Sequence, residues 1–249
     1  MKQLIVKSKA LEWKTLMQLL EMTHEEVTIY ATEQAVILRV MSLDKAHIVD
    51  VNWPNTKFEK FECMKENNQD DKPLEVAINV SLVSKALARP KNEDDVEIKF
   101  DNKVDIKIGD SKHYELPTVF TKYPMSKIPQ IKDGCKFDIP IKQIHDLFND
   151  LRFIDIIVGF ESNVEKKSFR ISGHEDIGRG STNMTLDKIE GNNSKSEYSL
   201  DFLIPVTSAM SKYVDVVNVE FGTDSPLKLK FINDNMDINY FLAPKVLQN

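Results

Sequence analysis

The residues best equipped for chemistry in this chain are five histidines, two cysteines and a handful of glycines, and their spacing limits what they can do. His24, His47, His113, His145 and His174 never pair at i, i+4 and never stand beside a cysteine at metal-ligand spacing, so no structural zinc is expected. His174-Glu175-Asp176 comes nearest to a ligand cluster and reads as a polar turn. Cys63 and Cys135 lie far apart with no Cys-x-x-Cys, which fits two buried thiols rather than a disulfide framework. Gly178-Arg179-Gly180 lacks the third glycine that lets backbone approach a pyrophosphate, and no Walker loop is present. Asp234-Asn235-Met236-Asp237 lacks the glycine and terminal glutamate of a calcium loop, and a Gly-x-Ser-x-Gly elbow is missing. Local motifs therefore support neither an enzyme nor a cofactor. A catalytic triad assembled across the fold would leave no local trace.

The elements available to position other chemistry follow from composition and pattern. The 249 residues include 41% hydrophobic residues, 8 glycines and 10 prolines, which excludes disordered and collagen-like chains and is enough for one large or two smaller cores. Apolar runs such as Ala35 to Met41 are short and interrupted by Arg39, so no membrane span is expected. The first apolar segment is too short for a secretory signal, and an intracellular protein is expected. With 33 Lys+Arg against 39 Asp+Glu the net charge is −6, unfavourable for binding phosphates through bulk charge. Placement of the cations therefore matters more than their number.

Period and punctuation predict elements in an order that occurs twice. Ser8 is read as the N-cap of a helix to about Met22 with Trp13, Leu16, Met17 and Leu20 on its apolar stripe. Strands are expected at 27–31, 36–41 and 49–53, a loop over 65–72, and a second helix from near Ser81 to just before Pro90. Val96 to Phe100 and Val104 to Ile108 alternate with period two around a short turn, as a hairpin does. Pro117, Pro124 and Pro129 mark an extended linker. Beyond it the order restarts, with Pro140 at the first position of a helix bearing Ile141, Ile144, Leu147, Phe148 and Leu151. Strands at 154–160 and 169–172 follow, then a strand-and-helix stretch over 198–213, which would be broken at Pro205 if the proline lies beyond the first turn, and strands at 216–221 and 227–232. The economical fold class is α+β, with two similar domains of about 120 residues each. The boundaries fall at 1–117, a connecting loop at 118–134, and 135–249. Lys85 and Arg89 form an i, i+4 pair on a helix without acids, whereas the other helices mix Lys9, Lys14, Lys142, His145, Arg152 and Lys212 with Glu12, Asp146, Asp150 and Asp201.

Three segments carry a family resemblance: Ser225-Pro-Leu-Lys-Leu-Lys-Phe231, Tyr240-Phe-Leu-Ala-Pro-Lys245, and Leu43-Asp-Lys-Ala-His-Ile48. Together they resemble the DNA sliding clamps of the proliferating cell nuclear antigen (PCNA) type over essentially the whole chain. The chain stops four residues after Lys245, which resembles archaeal more than eukaryotic members. The resemblance implies a DNA-clamp fold, in which helices line the inside, antiparallel sheets lie outside and three chains form a ring. It implies a non-enzymatic processivity factor without metal or cofactor. Its expected partners are double-stranded DNA, further copies or paralogues of itself, a clamp loader, DNA polymerase, flap endonuclease and DNA ligase.

By the same resemblance, Lys9, Lys14, Lys85, Arg89, Lys142, Arg152 and Lys212 would face DNA. Lys112, His113, Tyr114, Glu115 and Leu116 would join Thr182, Asn183, Met184, Thr185 and Leu186 of the next subunit. Leu43, His47, Ile48, Ile128, Pro129, Ile131, Pro226, Phe241, Leu242 and Ala243 would form a groove for partner peptides. The segment from His47 to Pro54 departs from the family pattern in being about two residues shorter, so the apolar groove floor that normally follows is not carried over and Asp50 is a poor substitute; Asp146 and Asn149 stand where relatives tend to have basic residues. A checkpoint-type clamp subunit of a heterotrimeric ring is the alternative within the fold. A small-molecule enzyme on an α+β scaffold is the alternative outside it.

Overall fold

A computed structural model describes residues 2–65, 72–175 and 178–245, without the side chains of 174 and 175. Most of the expected loop at 65–72 lies outside the described residues, as does Asp176; His174 and Glu175, expected in a polar turn, instead end a strand, paired with Arg179 and Gly178. The chain divides into two compact units. The first comprises the residues up to Leu43 with Val49–Ser126 and Asp234–Asp237; the second comprises Asp44–Ile48, Lys127–Asn233 and the residues from Ile238 onward.

In the first unit the order is β1 (Gln3–Lys9), α1 (Ala10–Glu21), β2 (Glu26–Ala31), β3 (Ala35–Met41), β4 (His47–Pro54), β5 (Lys60–Met64), β6 (Leu74–Asn79), α2 (Val80–Leu87), β7 (Asp95–Phe100), β8 (Lys103–Ile108) and β9 (Lys112–Pro117). Its strands lie in the orders β5-β1-β7-β8-β9 and β4-β3-β2-β6. The second unit repeats the series as β10 (Cys135–Pro140), α3 (Ile141–Arg152), β11 (Ile157–Asn163), β12 (Ser168–Glu175), β13 (Gly178–Thr185), β14 (Glu190–Gly191), β15 (Lys195–Ser199), α4 (Leu200–Met210), β16 (Val216–Phe221), β17 (Leu227–Phe231) and β18 (Asp237–Leu242). Its strand orders are β14-β10-β16-β17-β18 and β13-β12-β11-β15, the first unit's arrangement position for position. The short strands β5 and β14 have no counterpart in the sequence reading, being too brief and polar to show a period.

Helix starts are set by neighbouring chain more than by side-chain caps. Lys9, not Ser8, caps α1, and no side chain closes it; the amides of Ala10 and Leu11 bond instead to the carbonyls of Asp94 (2.9 Å) and Asn92 (3.1 Å). Pro140 is the cap of α3 rather than its first residue, with Ile141 N donating to Asp215 O at 2.9 Å. Asn79 is a side-chain cap, its Oδ1 accepting from Leu82 N at 3.0 Å to open α2. That helix ends at Leu87, so Arg89 lies past it and is no i, i+4 helical partner of Lys85; the residue before a proline avoids the helical region, and Pro90 follows. Pro205 sits inside α4 without ending it. The ring is exposed, and the only bond forfeited is to the Asp201 carbonyl in the first turn. β11 begins at Ile157 rather than Ile154, because Asp155 Oδ1 accepts from Ile157 N at 2.7 Å and turns the chain first.

Each unit closes on an aromatic core. Trp13 of α1 packs against Trp53 (5.0 Å between centroids) and Phe100 (6.2 Å) in the first. In the second, Phe160 meets Phe148, Phe169, Tyr198 and Phe221 within 6.0 Å. Phe100 and Phe221 close β7 and β16, equivalent strands whose inward residues are all buried. Within each unit the two helices also pack on each other, α1 on α2 and α3 on α4.

One carboxylate is drawn into this packing. Glu12 of α1 is only 9% exposed; Asn235 donates to its Oε1 at 3.1 Å, and its Oε2 makes no hydrogen bond among the described residues. Burial raises its carboxyl above the ordinary value, so the folded chain holds that proton more tightly than the unfolded chain. Ionisation as pH rises through the folded value then costs stability. Glu12→Gln, which keeps an acceptor for Asn235, is expected to melt at a higher temperature than the parent at pH 8. The gap should close towards pH 4 in thermal unfolding followed by circular dichroism.

Candidate nucleic-acid and partner interfaces

The seven cations expected to meet DNA separate into two groups. Lys85 on α2, Arg89 just beyond it, Lys142 and Arg152 on α3, and Lys212 just beyond α4 are exposed, and none makes an ion pair among the described residues. Lys9 and Lys14 are engaged elsewhere. Lys9 Nζ contacts Asp95 and lies 3.2 Å from Glu59 Oε1, while Lys7 Nζ sits 2.9 Å from each of the same two carboxylates. Hydrogen bonds from Lys7 and Lys9 hold the Asp95 carboxyl at about 2 and lower that of Glu59. Lys14 Nζ donates to the Pro90 carbonyl and lies 3.5 Å from Asn92 Oδ1. These partners stand tens of residues away in sequence, and no local pattern marks them.

The helices differ in sign. α2 and its exit present Lys85 and Arg89 with no acid, whereas the exposed charges of α3 are Lys142 and Arg152 against Asp146 and Asp150. His145 does not add to the cations through a free ring. Its Nδ1 lies 2.9 Å from Thr207 Oγ1 and its Nε2 3.0 Å from Asn149 Nδ2, joining α3 to α4. Thr207 in turn donates to the Leu203 carbonyl at 2.7 Å. Asn149 thus serves this small network.

Two outer strands carry the residues expected at a subunit contact. Among the described residues β9 pairs only with β8 and β13 only with β12, so each presents an unpaired edge of backbone groups. Lys112, His113 and Glu115 are exposed, with Tyr114 and Leu116 half-buried. On the other strand Asn183 and Thr185 are exposed and Thr182 is half-buried. Met184 is buried, and Leu186, also buried, lies just past the strand end. Apolar residues flank both edges: Leu82 near β9, and Phe153 and Ile156, 76% and 51% exposed, in the turn between α3 and β11. Gly180 of β13 lies against this turn, where an added Cβ would meet Leu151 at 3.1 Å and Ile154 at 3.3 Å.

The residues expected in a peptide groove also separate by depth. Leu43 is 80% and Ile128 39% exposed, Ala243 is exposed, and Pro129, Ile131 and Pro226 are half-buried. His47, Ile48, Phe241 and Leu242, expected in the same groove, are buried. The reason is their place in strands: Leu242 pairs with Leu227 across β17 and β18, and the His47 ring sits 5.2 Å from Phe202 and 5.3 Å from Tyr240. Ala243 N donates to Ala46 O at 2.8 Å, continuing that packing. Asp50 is buried in an ion pair, with Arg39 Nε 2.7 Å from its Oδ1.

The connecting loop is extended, as its prolines require, yet fastened along its first half. Val119 N donates to Ala77 O at 2.9 Å, Tyr123 N to Thr28 Oγ1 at 2.8 Å, and Tyr30 OH to Tyr123 O. The Tyr123 ring lies 4.7 Å from His24. At its far end the loop enters β10 past Gly191, whose φ of +99° and close backbone approach leave no room for a side chain: a Cβ there would lie 2.1 Å from Gly134 O.

No protein-family model matches the chain. It is 26% identical over 231 residues to a DNA polymerase sliding clamp of Nitrosopumilus maritimus, covering 89% of this chain and 90% of the relative. In fold it matches A. fulgidus PCNA, solved with the C-terminal region of FEN-1 bound, at a TM-score of 0.87 and 19% identity, over 99% of this chain and all of that one. A PCNA2-PCNA3 complex from Sulfolobus tokodaii matches at 0.83 and 18% identity, over 97% and 99%. No helix among the described residues is long and apolar enough to cross a membrane. Sequence along most of its length and fold along nearly all of it make this chain a relative of the DNA polymerase sliding clamps, with the fold of PCNA.

Proposed function

We propose that the chain is a DNA sliding clamp, a processivity factor that encircles duplex DNA as part of a three-subunit ring and tethers polymerase and repair enzymes without catalysing a reaction itself. The observation that carries this reading is the kinship to curated sliding clamps over nine-tenths of both chains, joined to a two-unit repeat of identical strand order. The repeats are placed at 1–117 and 135–249, joined by 118–134. The chain acts inside the cell, where its DNA is.

Lys85, Arg89, Lys142, Arg152 and Lys212 serve as phosphate contacts that carry no sequence information, which suits a ring that slides. Lys9 and Lys14 contribute less, since their ammonium groups already have protein partners. An acidic chain with a set of exposed, unpaired cations on or just past its helices can hold DNA locally and repel it elsewhere. The segment Lys112 to Leu116 adds to Thr182 to Leu186 of the next subunit, a heterologous contact that can close into a ring. Ile128, Pro129, Ile131, Pro226 and Ala243 receive a partner peptide of the form Gln, two residues, an aliphatic, two residues, then two aromatics. FEN-1 bound to A. fulgidus PCNA supports a peptide partner, and the PCNA2-PCNA3 pair supports a ring of unlike chains as one form of assembly.

Light scattering is expected to give about three times the 28.6 kDa chain mass, for the chain alone or mixed with its paralogues. A strict monomer under every such mixture would count against the clamp. Reversing Lys85 and Arg89 to Glu should reduce retention on nicked circular DNA and flatten its dependence on salt. Parent-like retention would remove those two residues from the DNA path. Ile128→Ala, at an exposed position, should cost ~2 kcal/mol or more of peptide affinity by calorimetry while the assembled mass stays unchanged.

A further inference from the structure

Strands β8 and β9 pair with Asp105 opposite Glu115 and Lys107 opposite His113. Side chains alternate between faces along a strand, so Lys103, Asp105, Lys107, His113 and Glu115 share one face of the sheet. On that face His113 Nε2 lies 2.6 Å from Asp105 Oδ1, and one ligand atom from each of Asp105, His113 and Glu115 lies within 4.8 Å of the other two. Lys103 Nζ reaches into the same group, 2.5 Å from Glu115 Oε1 and 3.8 Å from Asp105 Oδ2.

We propose that Asp105, His113 and Glu115 form a binding site for a first-row divalent cation of the zinc class, with the Lys103 ammonium standing in its place when the cation is absent. The donor set favours that class. One imidazole nitrogen with two carboxylates suits zinc, cobalt or nickel, whereas magnesium and calcium prefer oxygen alone. Three protein ligands leave a coordination position for water, as in zinc sites that are not closed by a fourth side chain.

The geometry is within reach of such a centre. Bonds of about 2.0–2.1 Å at tetrahedral angles place donor atoms about 3.3 Å apart, so a separation within the 4.8 Å bound must shrink by at most about 1.5 Å, while the 2.6 Å between His113 Nε2 and Asp105 Oδ1 must open by about 0.7 Å. Glu115 can supply that movement, because its side chain is 54% exposed and turns without disturbing the core. Asp105 supplies the rigid part, since its side chain is only 16% exposed and β8 is paired on both sides, by β7 and β9.

The Lys103 contact shows the two carboxylates already sharing one cation, its ammonium. Neighbouring charge does not oppose occupation strongly: Lys99, opposite Asp105 on β7, is paired 2.9 Å from Asp101, and Lys107 is exposed. The sequence offered no hint of this site. His113 has no second histidine or cysteine at ligand spacing, and the carboxylates join it only through the strand register. His113 and Glu115 belong to the strand placed at the subunit contact, but that contact uses the backbone edge of β9 and the site its sheet face within one unit, so the site does not rest on the clamp reading.

The full-length protein, stripped of metal by a chelator, is titrated with Zn²⁺ in a calorimeter and with Co²⁺ in the visible spectrum. The expected result is saturation at one cation per chain and a ligand-field band that grows with the same stoichiometry. His113→Ala should weaken binding by about tenfold or more and abolish the band, while His145→Ala leaves both unchanged. Lys103→Gln should tighten binding several-fold, because the competing ammonium is gone. Circular dichroism confirms that each variant is folded. Binding that is equal in the parent and His113→Ala, that follows His145 instead, or that fails to appear at millimolar Zn²⁺ would overturn the proposal.

Discussion

The constraint on which the structure depends is that a twisted antiparallel sheet must bury one face. Both units meet it with two helices each, and the helices leave the sheet without a loop: α1 continues directly from β1 and α3 from β10. Ala10, Trp13, Leu16, Met17 and Leu20 in the first unit and Ile141, Ile144, Phe148 and Leu151 in the second are thereby pressed inward. Burying one large side chain is worth about 1.5–3 kcal/mol. The aromatic clusters around Trp13 and Phe160 hold each helix pair in place against its sheets. Everything outward follows from that: the polar faces of the helices look away from the core and are free to meet another molecule.

Repetition of one strand order accounts for the edges. In each unit the five-strand order ends in a hairpin, β8–β9 or β17–β18, and the four-strand order ends in β4 or β13. An exposed edge offers unpaired amides and carbonyls, which invites another strand. The edges at β9 and β13 carry different chemistry, charged side chains on one and small polar side chains with glycines on the other. That asymmetry favours contact between unlike edges over contact between like edges.

Electrostatics refine the picture in the opposite direction from composition. An acidic chain could place its cations anywhere, yet the described exposed cations without ion-pair partners include all five of Lys85, Arg89, Lys142, Arg152 and Lys212, on or just past helices. Several strand lysines, by contrast, are neutralised by acids on adjacent strands, as with Lys60 and Glu97 at 3.2 Å or Lys103 and Glu115. Such exposed pairs add little stability. What they do is offset part of the positive charge on the strands, although Lys107, Lys112, Arg170, Arg179 and Lys195 remain exposed there.

Much of the fold was legible in the sequence because periodicity is a local property. The alternation in Val96 to Phe100 and Val104 to Ile108, the stripe of α1, and the restart of the order after the proline-marked linker all appear in the structure as hairpin, helix and repeat. Likeness of short segments to sliding clamps supplied the family. What a residue's neighbours across strands would be was not legible. The pairing of Lys9 with Asp95, the burial of Glu12 beside Asn235, the packing of Leu242 opposite Leu227, and the convergence of Asp105, His113 and Glu115 each depend on strand register or chain return. Period assigns a side chain to a face, but only the folded sheet decides which charges share that face and which apolar groups it covers.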